Sequence, residues 1–197
     1  MLRASITVLL LSIGSAVTLA GPLHDVVRAG DVEQVRALVE AGANLDEKDA
    51  NGETPLNLAI VGDNATLALL LIDRGAEIQA RNEGGFTPLH AAAYSNAVAI
   101  AERLIDMGAD LNDRTNKAGV SPLNVASEES HADVVKLLIE RDADLEAGDR
   151  NGYTALTRAL WRGHEAVVLL LQAAGAKCQP VEILEEPIYS QCMEGQL

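Results

Sequence analysis

The chain has 197 residues, 48% of them apolar and 22% charged, with 15 Lys and Arg against 29 Asp and Glu and a formal net charge of −14. An acidic surface of this size repels phosphate backbones and anionic lipid, which sets nucleic acid aside and favours a protein partner with a basic surface. The same acidity also serves to keep an exported protein soluble.

At the start, Met1-Leu2-Arg3 carries one positive charge, and Ala4 to Val17 runs uncharged through Ile6, Val8, Leu9, Leu10, Leu11 and Ile13. Thr18-Leu19-Ala20 then places small residues where a signal peptidase reads them. This layout predicts a secretory signal peptide over residues 1–20, cleaved after Ala20. The apolar run is shorter than the ~20 residues a spanning helix needs, so no membrane attachment is expected after cleavage. Loss of Arg3 leaves 14 basic against 29 acidic side chains, a net charge of −15. The expected location is the bacterial periplasm, with extracellular secretion as the alternative.

From residue 21 onward a phrase returns. Thr54-Pro55-Leu56-Asn57-Leu58-Ala59 is followed by Thr87-Pro88-Leu89-His90-Ala91-Ala92, Ser121-Pro122-Leu123-Asn124-Val125-Ala126 and Thr154-Ala155-Leu156-Thr157-Arg158-Ala159. The starts lie 33, 34 and 33 residues apart, and Gly21-Pro22-Leu23-His24 is a degenerate copy one period earlier. A fixed period of this length means one small unit stacked on itself, each burying its apolar face against its neighbours.

Within a unit, Thr87 suits an N-cap and Pro88 the first helical position, so a short helix runs to about Ser95. A second helix is expected from about Val98 to Met107, on the helical spacing of Ile100, Leu104 and Ile105, and Gly108 stops it. Gly42, Gly75 and Gly175 hold the place of Gly108, with Asp142 substituting in the fourth copy. Gly52, Gly85, Gly119 and Gly152 close the connecting turns. Ala59, Ala92, Ala126 and Ala159 let paired helices approach closely.

On these residues the chain resembles the ankyrin-repeat family, whose 33-residue unit carries a Thr-Pro-Leu-His-x-Ala phrase. The resemblance covers about residues 21–177 and implies an all-α solenoid of five turn-helix-loop-helix units, at about 21–53, 54–86, 87–120, 121–153 and 154–177. Residues 178–197 form a capping extension. Ala155 in place of proline, Arg158 in place of an apolar residue and one extra residue in the third linker depart from the family pattern.

Catalytic chemistry finds little support. His24, His90, His131 and His164 occupy repeat positions at least 33 residues apart or in different places of the unit, so they form no convergent set and are read as structural. Asp49-Ala50-Asn51-Gly52 and Asp149-Arg150-Asn151-Gly152 have the look of half a calcium loop. Leu58 and Arg158 stand where its bidentate glutamate is required, so they are read as turns. No enzyme activity, cofactor or metal is expected.

A binding surface has stronger support. Phe86 and Tyr153 immediately precede the starts of their copies, and Tyr94 and Trp161 lie seven residues after them. The resemblance implies that both places face the concave groove. Aromatic anchors dominate interface energies, and Glu53, Glu83, Glu128 and Glu129 frame them with charge. The expected function is therefore protein binding through the concave face by a monomer. The alternative is an inhibitor or immunity protein that blocks a secreted or periplasmic enzyme or toxin.

Cys178 and Cys192 lie beyond the last repeat. In an oxidising compartment such an even pair reads as a disulfide, and in a reducing one as two thiols; the leader favours the disulfide. Val181, Ile183, Leu184 and Ile188 are then placed to cover the open end of the stack.

Overall fold

The returning phrase becomes a helix start for local reasons. Thr54, Ser121 and Thr154 accept the backbone N–H three residues on, at 3.3, 3.2 and 3.4 Å. Pro55, Pro88 and Pro122 take the first helical turn, where a missing N–H costs nothing. The structure, a computed structural model, describes residues 22–186 and 188–194. The leader expected over residues 1–20 lies outside the described residues.

Ten helices pair as inner and outer partners among the described residues: α1 (Pro22–Ala29) with α2 (Val32–Glu40), α3 (Pro55–Val61) with α4 (Ala65–Asp73), α5 (Pro88–Tyr94) with α6 (Val98–Asp106), α7 (Pro122–Glu128) with α8 (Ala132–Glu140), and α9 (Ala155–Arg162) with α10 (Glu165–Ala173). Each inner helix packs on the next inner helix and each outer on the next outer, so the units stack in one direction. Leu56, Leu89, Leu123 and Leu156 are buried at the same register, as are Ala59, Ala92, Ala126 and Ala159. Each such leucine contributes about 1.5–3 kcal/mol on leaving water.

Two rows of left-handed residues turn the chain. One row follows the outer helices at Gly42, Gly75, Gly108, Asp142 and Gly175, where the sequence pattern predicts it. The other, between paired helices, is Gly30, Asp63, Asn96, Ser130 and Gly163. Only two of those five are glycine, so no glycine period advertises the second row.

Between units the chain forms hairpins held by one recurring side chain. Asp49 Oδ1 accepts from Asn51 N and Glu53 N, both at 2.9 Å. Asn82 and Asn116 accept from Phe86 N and Val120 N at 3.0 and 3.1 Å. Asp149 accepts from Asn151 N at 2.7 Å and Tyr153 N at 3.0 Å. Asp49 and Asp149 thus clip turns, as their sequence context predicts, and Asn82 and Asn116 do the same with an amide oxygen. Successive hairpins also join by backbone hydrogen bonds, from Glu83 N to Asn51 O at 3.2 Å, Lys117 N to Gly84 O at 2.8 Å and Arg150 N to Ala118 O at 3.3 Å.

The histidines tie neighbouring units together. Nε2 of His24 and of His90 lies 3.1 and 3.0 Å from the carbonyl oxygens of Glu53 and Val120, and Nε2 of His131 and of His164 lies 2.8 Å from those of Tyr94 and Glu128.

Beyond the last pair, α11 (Val181–Leu184) and α12 (Ile188–Glu194) fold back over the end, and a disulfide joins Cys178 to Cys192 with the Cα atoms 6.0 Å apart. Leu184 and Cys192 are fully buried, with Ile183 and Ile188 half-buried. Gln179 completes the seal: its Oε1 accepts from Thr154 N at 3.3 Å and from the Thr157 hydroxyl, and its Nε2 donates to Gly152 O at 2.7 Å.

Candidate functional site

The register residue before each start lies on the inner wall beside a hairpin, and the one seven residues later lies at the end of an inner helix. Together they line two adjoining cavities. The first, of about 420 Å³, is bounded by Glu53, Val61, Phe86, Tyr94, Val125 and Glu129 among others. The second, of about 400 Å³, has Glu128, Tyr153, Arg158, Trp161 and Arg162 in its wall. Glu128 and Arg158 border both.

The four aromatics singled out from sequence therefore sit as two pairs. Tyr94 is 55% exposed and Trp161 40% exposed, while Phe86 and Tyr153 are half-buried. Phe86 meets the His90 ring edge-on at 5.5 Å between centroids, and Tyr153 meets Trp161 in the same way at 4.4 Å. The half-buried ring of each pair supports the wall. In the second pair that support is direct, since Tyr153 holds the exposed Trp161 in place.

The carboxylates are not equivalent. Glu53 accepts from Asn82 Nδ2 at 2.7 Å and from Asn57 Nδ2 at 3.0 Å, two neutral donors that orient it and leave its charge uncompensated. Glu128 instead pairs with both Arg158 and Arg162, and Arg158 also pairs with the buried Asp149. Glu83 and Glu129 are exposed; Glu129 lines the first cavity, whereas Glu83 stands on a hairpin tip outside both. Reading all four as equal free charges overlooks that Arg158 and Arg162 neutralise one of them. The signal was present in the sequence, because Arg158 stands at a register otherwise held by Leu58, Ala91 and Val125.

Burial lowers the pKa of Arg158, with Arg162 beside it adding to the effect, and its two carboxylate partners offset the cost of burying its charge. Below the first cavity, His90 is buried and its pKa is lowered by desolvation, partly offset by its bond to Val120 O and by Asp113. Its Nδ1 accepts from Thr87 N at 3.3 Å and faces the Thr87 hydroxyl at 2.9 Å, which makes it a neutral helix cap.

Stacked helix pairs linked by a ladder of hairpins, with an open groove between hairpins and inner helices, define a repeat solenoid built for surface recognition. A family model described as "Ankyrin repeats (3 copies)" matches residues 23–115 and again 112–181. The chain belongs to the ankyrin-repeat family. It is 35% identical over 159 residues to the nuclear factor NF-kappa-B p105 subunit of Gallus gallus, covering 79% of this chain and 16% of that protein. It is also 47% identical over 47 residues to the palmitoyltransferase ZDHHC13 of Mus musculus, covering 24% of this chain and 8% of that protein. The chain thus spans less than a fifth of the length of these relatives. Ankyrin repeats are protein–protein interaction modules and typically non-catalytic. Among the described residues no helix is long and apolar enough to cross a membrane.

Proposed function

We propose that this is an exported ankyrin-repeat protein that binds a partner protein through its concave face, as a monomer, with Tyr94 and Trp161 as its anchors. One observation carries the reading: two large aromatic side chains stand exposed at the same register of different units, each at the mouth of a groove cavity. Exposed rings of this size gain most when a partner desolvates them. The leader composition and the Cys178–Cys192 disulfide support export to an oxidising compartment such as the periplasm.

The test is capture of a partner from a periplasmic extract by the native protein and by the Tyr94→Ala/Trp161→Ala variant. Loss of the partner with an unchanged circular dichroism spectrum is expected. Equal capture by the variant removes the groove from consideration. If the captured partner is an enzyme or toxin, its activity with and without this protein separates inhibitor from carrier.

A further inference from the structure

The hairpin tips carry one residue per unit, Ala50, Glu83, Lys117 and Arg150, all outside the two groove cavities, and Arg150 also borders a separate cavity with Asp110, Asn112 and Arg114. Their order is held rigidly, because the backbone N–H of each of the last three donates to the hairpin before it. Glu83, Lys117 and Arg150 are exposed, and the stem of Arg150 lies across Gly119, where an added Cβ would meet Arg150 Cγ at 2.8 Å.

On the floor of the C-terminal half, charges cancel: Glu128 and Asp149 face Arg158 and Arg162. At the other end Glu53 meets only amides. Among the described residues, Glu53, Glu83, Lys117 and Arg150 form no ion pair, and Glu129 is an exposed carboxylate on the opposite wall. Along the hairpin side, then, the uncompensated charge changes sign once. It is negative at Glu53 and Glu83, positive at Lys117 and Arg150, and the apolar cavity of Val61, Tyr94 and Val125 opens beside the change.

We propose that the groove takes an extended segment of the partner protein whose charges come in one order: a Lys or Arg beside Glu53 and Glu83, an apolar side chain in the cavity, and an Asp or Glu beside Lys117 and Arg150. This rests on the groove being the binding face. Complementary charge of this kind sets register and direction and rejects the reversed segment. The two charged pairs are two repeats apart. With helices packing at roughly 8–10 Å and an extended chain rising about 3.3 Å per residue, the segment's opposite charges stand about five or six residues apart.

The experiment selects linear twelve-residue peptides displayed on phage against the immobilised full-length protein. Glu53→Gln/Glu83→Gln, Lys117→Gln/Arg150→Gln and Tyr94→Ala variants are selected in parallel. The native protein is expected to enrich a basic, an apolar and an acidic residue at fixed spacing and in a single order. The first variant should lose the basic preference and keep the acidic one, and the second the reverse. A peptide chosen by the native protein should bind each double variant roughly tenfold more weakly. Enrichment without charge order, the same sequences chosen by the Gln variants, or no enrichment overturns the proposal. Peptides that depend on Tyr94 but show no charge order sink the polarity and leave the groove reading standing. Peptides held equally by Tyr94→Ala sink the groove reading itself.

Discussion

Ser127 lies in α7 with its side chain wholly buried and its hydroxyl without a hydrogen-bond partner, at the register filled by Ile60, Ala93 and Leu160. An orphaned hydroxyl in an apolar site costs stability that a methyl group does not. Ser127→Ala is expected to stabilise the protein by about 1 kcal/mol, read as a rise of roughly 2–4 °C in the thermal midpoint. A lower midpoint would mean that the hydroxyl has a role in the core. His90 makes a pH prediction. Its folded pKa is lowered, so below the ordinary 6.5 the unfolded chain takes up a proton that the folded chain resists. Its contribution is therefore fully present above pH 6.5 and lost as pH falls towards the folded value. Asn124 fills the same place in α7, accepting from Ser121 N at 2.9 Å, so His90→Asn keeps a cap and removes the titration. Urea midpoints at pH 7.5 and 5.5 should differ less in His90→Asn than in the native protein.

Among helices, the informative contrast is at the starts of the outer ones, where Asp31, Asn64, Ala97, His131 and His164 share a register. Asp31 and Asn64 accept from the backbone of their own helix, while the two histidines bond to the inner helix of the preceding unit. Ala97 does neither, and a cavity of about 210 Å³ opens beside it. By register, Ala97→His should reach the carbonyl of Val61 as His131 reaches that of Tyr94. Filling the space and adding this bond should stabilise the fold by about 1 kcal/mol, measured by chemical unfolding. No change or a loss would mean that the inter-helix turn at Asn96 holds the imidazole off its target. Helices and their order were legible in the sequence because caps, prolines and leucines repeat with the period of the unit. Arg158 stood out in the sequence as the one basic residue at its register, but its partners Glu128 and Asp149 did not, since they lie 30 and 9 positions away and are brought to it by the stack rather than by any local pattern. The groove was legible as a register, but its division into an acidic and a compensated end was not.

At the scale of the whole molecule, stability in a linear stack is a sum of units and their interfaces, so the end unit is the first to open unless it is covered. The disulfide holds that cover, with a loop-entropy value of up to ~3 kcal/mol. Cys178→Ser should lower the midpoint and uncouple the last unit from the rest. Trp161, the sole tryptophan, lies in that unit and reports it: in the variant its fluorescence transition should precede the loss of helix signal, whereas in the native protein the two are expected to coincide. Coincident transitions and an unchanged midpoint in the variant would show that the tail covers the end without needing its crosslink.

Gln179 gives this cover a further meaning. By taking the amide of Thr154, the hydroxyl of Thr157 and the carbonyl of Gly152, one side chain occupies three polar groups of the last inner helix and its hairpin. It is a counterfeit of the next unit, and it makes the stack finite. Those three groups are thereby withdrawn from any head-to-tail contact with a second molecule, and a duplicated repeat is expected to keep this cover only if it is inserted ahead of the glutamine.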